Sequence, residues 1–523
     1  MKLFGFEIRR STEPAAGGRT DAPSPRRYSR QWGYGAANRD RMTAGIPRTP
    51  VNISTMIRAQ LTGLRASSRW LVENDSYARQ FMRLLDVNVF GQTGIYPEAR
   101  QEALEDADTA LVEAVLVAWR QWASDPKAVD MGGRLRFRDA ERLFLRGAAE
   151  DGETLALKYR GPGAGPFGFS LLFVDPDLLP VQYDDDVRGG NIIRSGVEMS
   201  PYWRPVRYHL IDPRDHARSP YGLILPRTPT DTPPWDAADV IHEFLVERAG
   251  QYRGIPWLSN AGRRLHNVAG LEQAALAAAR AGASQLGAIQ REIGAAESNT
   301  YDTREDPEDD SSPRILEFED AVFMDLAVGE TLAQFTPNYP HEQYSPFMRG
   351  ALQGVAASLG VSYASLTTDR SQTNYSSERS GKLDETDGWL VLVDWVCSRF
   401  HKPVFREWLE MAILAGKIQP VDGRQVSIAD VDDIVDRIVW QSRGWASVDP
   451  DKETKADERE IAMGTNSRTG VMRRRGRKPE QVFAELKEEE RLGFAAKAAA
   501  PEPGDTTPDE TTDAEDGDGG NAQ

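Results

Sequence analysis

Between Val355 and Ser377 the chain gathers the side chains best suited to chemistry: Tyr363, Thr368, Asp369, Asn374, Tyr375 and the adjacent Ser376 and Ser377. A carboxylate, a phenol and two hydroxyls so close together could form a hydrolytic or nucleolytic centre. In that reading Asp369 and Ser376 would act with a distant base such as His242. The same residues could instead form a loop built to touch something. A nucleophilic serine needs a base to take its proton, and no histidine or lysine stands in a recognisable relation to these serines. As helix starters, Asn374, Ser376 and Ser377 need nothing further, because their side chains accept from the first free backbone N–H groups of a helix. The capping reading is the stronger one.

Other signs of chemistry are weaker. His209, His216, His242, His266, His341 and His401 are scattered singly. None has a second His or Cys at metal-ligand spacing, and His242-Glu243 lacks the partner histidine of a zinc-protease helix. His242 lies in an expected strand and reads as a packed or hydrogen-bonded core residue. Gly161-Pro-Gly-Ala-Gly165 has the glycines of a phosphate loop, but Pro162 interrupts it, Pro166 follows and no helix pattern comes after, so it reads as a turn. Asp184-Asp185-Asp186 could hold Mg²⁺, yet no matching distant acid is identifiable and a solvated run is the better reading. The expectation is a chain with no catalytic residue, no metal and no cofactor.

The elements that position these residues follow from length and periodicity. A chain of 523 residues, 40% hydrophobic and 27% charged, is long enough for two or three domains and ordinary enough to fold over most of its length. Cys397 is the single cysteine, which excludes an intramolecular disulfide and points to a reducing compartment. No 18-residue uncharged apolar run exists, and Met1–Glu7 is too short and charged for a signal peptide, so a cytosolic protein without membrane contact is expected. The formal charge of −17 argues against a DNA-coating protein. Residues 1–50 carry ten Lys/Arg against four Asp/Glu, and 501–523 carry eight acids and no base. Before that tail stands a basic run, Arg473, Arg474, Arg475, Arg477 and Lys478, read first as solvated charge and second as a DNA contact.

Helices are expected from Ile53 to about Leu71, over 74–89 with a stop at Gly91, over 102–124 and over 135–149. Strand-like segments follow at 154–158, 170–174, 206–210 and 240–246. A helix opens at Pro256, runs to about Ile293 and is Ala-rich over Ala274–Ala283. Residues 296–325 hold eleven acids and two arginines and look like an excursion from the core, with short strands near 314–318 and 321–326. A further helix ends at Gly360, and another runs from Ser376 past Pro403 to Lys417.

Six blocks in order give this pattern a family likeness: Arg69-Trp-Leu-Val-Glu-Asn74 with Val87-Asn-Val-Phe-Gly91; Trp119-Arg-Gln-Trp-Ala123 with Gly152-Glu153; Gly196-Val-Glu198 with Arg204-Pro-Val206; Val240-Ile-His242 with Arg253-Gly-Ile-Pro256; the segment after Val355; and Val448-Asp-Pro450 with Lys452-Glu453. Over roughly residues 28–460 the chain resembles the lambda-type family of tailed-phage portal proteins.

The resemblance implies an α+β portal fold with an α/β wing, a helical stem, a small clip and a helical crown, in a ring-forming subunit. It maps 1–50 as a disordered basic arm, 51–255 as wing, 256–295 as stem-approach helix, 296–345 as clip and 346–360 as second stem helix. It maps 361–375 as tunnel loop, 376–450 as wing helices, 451–496 as crown and 497–523 as a disordered acidic tail. Thr367, Thr368, Asp369, Arg370, Ser371, Gln372 and Thr373 would then face the DNA channel, and the basic run of the crown would be a second DNA contact. The implied partners are further copies of the chain (usually twelve in the family), the terminase large subunit, head-completion or connector proteins, major capsid and scaffolding proteins, and double-stranded DNA. The implied locations are the host cytoplasm during assembly and the capsid vertex of the virion.

Overall fold

The computed structural model describes residues 41, 49–100, 106–187, 189–211, 234–284, 288–291, 330–333, 343–371, 375–421, 423–445 and 450–493. The chain divides into an N-terminal unit, Met1–Asn52, and a folded body beginning at Ile53, and the account below concerns the body.

Ile53–Asn74 forms the first helix and buries Ile53, Ile57, Leu61, Leu71 and Val72 along one side, the spacing of an amphipathic helix. Its successor begins as a separate helix, Ser76–Leu85, because Asp75 leaves helical backbone and its carboxylate accepts from the Tyr77 and Ala78 N–H groups at 2.9 and 2.8 Å. A widened π-turn, Asp86–Phe90, carries the chain to Gly91 at φ 61°. The expected stop at Gly91 holds. The single helix expected over 74–89 is two helical pieces, since the aspartate cap restarts the ladder. Strand β1 (Tyr96–Ala99) follows, then helices Asp106–Ser124 and Phe137–Glu150.

Strands β2 (Thr154–Arg160) and β3 (Phe169–Val174) form a hairpin closed by Gly161 N–H donating to the Gly168 carbonyl at 2.9 Å. The glycine-rich stretch is therefore a hairpin turn, as its prolines require. Strands β4 (Asp185–Asp186), β5 (Ile192–Arg194), β6 (Val197–Met199), β7 (Pro205–Tyr208) and β8 (Trp235–Asp236) pair in sequence order, antiparallel. Strand β9 (Val240–Glu243) returns beside β2, giving a three-stranded sheet in the order β3-β2-β9.

Alternation along these strands separates two cores. Ala156, Phe169, Leu171 and Ile241 face the helices, while Leu155, Leu157 and Val240 face Leu179, Val197, Met199, Tyr208 and Leu210 of the small sheet. The helical core is aromatic: Trp119 has Trp122, Phe137, Phe405 and Trp408 at centroid distances of 4.8–5.0 Å. The Trp122 indole N–H is satisfied by the Ala128 and Phe169 carbonyls, as a buried indole requires.

Where a helix from Pro256 to Ile293 was expected, a 3₁₀ turn (Trp257–Ser259) precedes a helix over Gly262–Ser284. Ile289 lies instead in β10 (Ala288–Arg291), opposite Leu332 of β11 (Glu330–Ala333). Non-local strand pairing, invisible to local periodicity, takes these residues. The segments 314–318 and 321–326 lie outside the described residues.

The helix expected over 376–417 is Tyr375–Val396, a π-turn over Cys397–His401, and Lys402–Leu414. Pro403 lacks an N–H and crowds the preceding turn, which widens ahead of it. Strand β12 (Ile438–Gln441) pairs back onto β1, and helices Pro450–Ala462, Arg468–Arg474 and Pro479–Arg491 complete the described chain. No helix among the described residues is long and apolar enough to cross a membrane.

Candidate functional site

The loop that opened the sequence argument is held by its own polar groups. Helix Tyr344–Leu359 ends because Gly360 takes the left-handed region (φ 69°) and donates back to the Ala356 and Ala357 carbonyls. Ser362 then starts the short helix Tyr363–Thr367, its hydroxyl accepting from Ser365 N–H at 3.1 Å. Thr368, also left-handed at φ 61°, ends it.

Asp369 is the hub. Its Oδ1 accepts from the Ser371 backbone N–H at 3.0 Å, and its Oδ2 accepts from the Tyr363 hydroxyl at 3.1 Å and Arg349 Nη2 at 3.0 Å. The Ser371 backbone donor, then the Ser371 and Tyr363 hydroxyls and Arg349, hold the carboxyl well below the usual carboxylate range. The Arg349 guanidinium sits 5.6 Å from the Tyr363 ring centroid, and the Tyr363 hydroxyl and Asp369 hold it above its ordinary value. A permanently ionised, four-way-bonded carboxylate is a clasp and has no proton to exchange near neutral pH.

A second tether binds the base of the loop. Ser365 donates to Glu385 Oε2 on the following long helix at 2.8 Å, and Gln80 from the second helix donates to the Ser365 carbonyl at 3.2 Å. Three helices thus hold one short segment. Thr367, Thr368, Asp369, Arg370 and Ser371 fall within it, with Thr368, Arg370 and Ser371 exposed. Gln372 and Thr373 lie outside the described residues, as do Asn374 and the side chains of Ser376 and Ser377 on which the capping reading rests. The helix begins at Tyr375.

His242 is elsewhere. It is buried on β9, with Nε2 3.1 Å from Glu153 Oε2 and its ring 5.3 Å from those of Tyr208 and Phe244. The packed-core reading of this residue holds. Glu153 is the centre of a charge cluster that sequence reasoning missed. It receives Arg253 and Arg65, both fully buried, each at 2.5 Å, and the Gly254 N–H at 2.8 Å. Arg65 and Arg69 extend the cluster to Asp151, Asp175 and Asp177. Arg253 also donates to the Leu179 and Ser195 carbonyls, tying the small sheet to the helical layer.

Burial alone would raise the Glu153 carboxyl. Arg253, Arg65 and His242 together outweigh it and hold the carboxyl well below its ordinary value. The one available signal was that Arg69, Glu153, His242 and Arg253 all sit in the blocks that carry the family likeness.

The basic run is folded. Arg473 pairs with Glu98 at 3.1 Å, Arg474 and Arg475 both pair with the buried Asp457, and Lys478 lies 4.1 Å above the Tyr96 ring. The solvated-run reading is corrected for these four residues, and Arg477 is exposed. Of the acidic run, Asp184 pairs with Arg58 at 2.5 Å and accepts from Ser195 N–H, whereas Asp185 and Asp186 are exposed. No cluster of three or more potential metal ligands occurs among the described residues.

The family model described as phage portal protein, lambda family, matches residues 39–392. The chain belongs to that family. The probable portal protein of Halomonas phage phiHAP-1 is 30% identical over 443 residues, covering 82% of this chain and 81% of the relative. Portal protein B of Escherichia phage lambda is 26% identical over 160 residues, 31% of this chain and 30% of its own. Chains from a native gene transfer agent virion and from the neck of an empty gene transfer agent particle align at TM-scores of 0.40 and 13% identity. The alignments cover 83% and 86% of this chain and 96% and 97% of theirs. Portal proteins are structural components of the virion at the capsid neck, serving genome packaging and ejection, and family membership assigns this chain to that class. The matched span contains both the Glu153 cluster and the Asp369 clasp.

Proposed function

We propose that about twelve copies of the chain close into a ring at one capsid vertex, with the segment Thr367–Thr373 facing the central channel. Double-stranded DNA passes through that ring, driven by a docked terminase during packaging. Head-completion or connector proteins later bind the outer end, and scaffolding and major capsid proteins surround the ring during assembly in the host cytoplasm.

The observation that carries this reading is the Asp369 clasp. A loop with exposed Thr368, Arg370 and Ser371, whose carboxylate is already paired with Arg349, offers DNA hydroxyls with little net charge. Such a surface neither binds phosphates tightly nor repels them. A ring of twelve would carry a formal charge on the order of −200, at −17 per chain, so the conduit as a whole does not hold DNA by counterion release.

The regional map follows the same reading: wing 51–255, stem-approach helix 256–295, clip 296–345, second stem helix 346–360, tunnel loop 361–375, wing helices 376–450 and crown 451–496. In the crown, Arg473 and Lys478 serve the fold through Glu98 and Tyr96, and DNA contact falls to Arg477 with the exposed parts of Arg474 and Arg475.

Electron microscopy of the purified full chain tests the ring: closed rings with a central hole are expected, and a monomer that assembles under no condition refutes it. Deleting 368–372 should leave rings intact and impair packaging or DNA retention. Unchanged packaging would remove the loop from the channel.

A further inference from the structure

We propose that the outer face of helix Tyr375–Val396 docks, head to tail, on helix Gly262–Ser284 of a second copy of this chain. The proposal rests on the ring reading above and names the surfaces that close the ring.

On the Tyr375–Val396 helix, Trp389, Val393 and Val396 are buried. At 100° per residue, Leu383, Leu390 and Val391 stand on the opposite side. They are 60%, 42% and 69% exposed, a run of large aliphatic side chains left in solvent by the single chain. Scattered single apolar residues need no explanation, but an aligned set on one helix marks a contact. Its edges are acidic: Asp384, Asp387 and Asp394 are all exposed, against Lys382 as the only base from Ser380 to Val396.

Helix Gly262–Ser284 presents the complement. Leu265, Val268 and Ala275 are buried, while Leu276 is 58% exposed among the exposed Ala274, Ala277 and Ala278. Its exposed charges include Arg263 and Arg280, and its one acid, Glu272, accepts from the Tyr77 hydroxyl at 3.2 Å. Small side chains here let a second helix approach closely enough for Leu390 and Val391 to seat between them. The two helices, of 22 and 23 residues, match at about 33 Å each.

The acidic aliphatic face and the basic alanine face are different surfaces, so the contact between copies is heterologous. Such a contact leaves one face of each kind open in any linear assembly and satisfies all of them only when the assembly closes.

The test reverses the charges in the full chain and reads the fraction of mass in rings by mass photometry and negative-stain microscopy, with far-UV circular dichroism to verify folding. Asp387→Arg with Asp394→Arg, and separately Arg263→Asp with Arg280→Asp, should each cut that fraction about tenfold or more, the effect of ~1.4 kcal/mol per contact. All four changes in one chain should restore it, because the pairing is re-formed with signs exchanged. A folded Leu390→Asp, Val391→Asp variant should form no rings. Rings at wild-type yield in either reversed variant, or no recovery in the four-fold variant, would overturn the proposed pairing while leaving the ring reading in place. Absence of rings from the wild-type chain would sink both.

Discussion

Gly152 and Gly254 pass each other backbone against backbone. A Cβ on Gly254 would run into the Gly152 carbonyl, and one on Gly152 would run into the Ile255–Pro256 peptide. Gly152 also sits at φ +86°, a conformation that side chains resist. This approach brings Glu153 and Arg253, the next residues on each strand of chain, into contact inside the body.

Gly254→Ala should therefore destabilise the protein by about 3 kcal/mol or more, since backbone rather than a flexible side chain must move. Thermal unfolding of purified variants measures it. Gly63→Ala, on the first helix with nothing near its missing Cβ, is the control and should change stability little or raise it.

Glu153→Gln should cost about 3–5 kcal/mol at neutral pH, because it leaves the Arg65 and Arg253 guanidiniums buried without a counter-charge. The wild-type carboxyl is depressed on folding, so its contribution is present above the ordinary glutamate pKa and is lost as pH falls through the lower folded value. Unfolding midpoints measured from pH 7 downward should drop steeply in acid for the wild type and less steeply for the variant. Parallel curves would remove Glu153 from the acid response.

Glu243 has the opposite sign. Burial raises its carboxyl to about 7, with Arg399 only partly offsetting. The folded state then holds a proton that the unfolded state has released, so stability falls as pH rises from about 4.5 to 7 and stays lower above. Glu243→Gln should raise stability at pH 8 by about 1–3 kcal/mol and leave it unchanged near pH 4.5. Paired thermal scans at the two pH values decide it.

Arg349→Ala should barely affect global stability, by about 1 kcal/mol or less, as expected of a part-exposed ion pair. Its effect should be local. Backbone amides over 362–371 should exchange with deuterium faster, as the clasp on Asp369 opens while the Ser365–Glu385 tether persists. Unchanged exchange there would mean that Arg349 does not hold the loop.

Local grammar was legible in the chain. Gly360 ends a helix because only a residue without a Cβ takes that turn freely, the helix and strand periods marked most segments near their observed spans, and Pro162 and Pro166 spoke for a turn. The ordered blocks were legible too, and they led to the right family. Three matters were decided by tertiary structure alone. Asp369, exposed in prospect as a catalytic acid or a DNA contact, is clasped by Arg349 twenty positions earlier. Arg473 finds Glu98 across 375 positions. Ile289, patterned for a helix, pairs in a strand with Leu332.

The physical reason is common to all three. Turns, caps and amphipathic faces depend on neighbours within a few residues, so the sequence carries them directly. The partner of a charge or the mate of a strand depends on which distant segments the packed core brings within a few ångströms, and no local pattern encodes that distance.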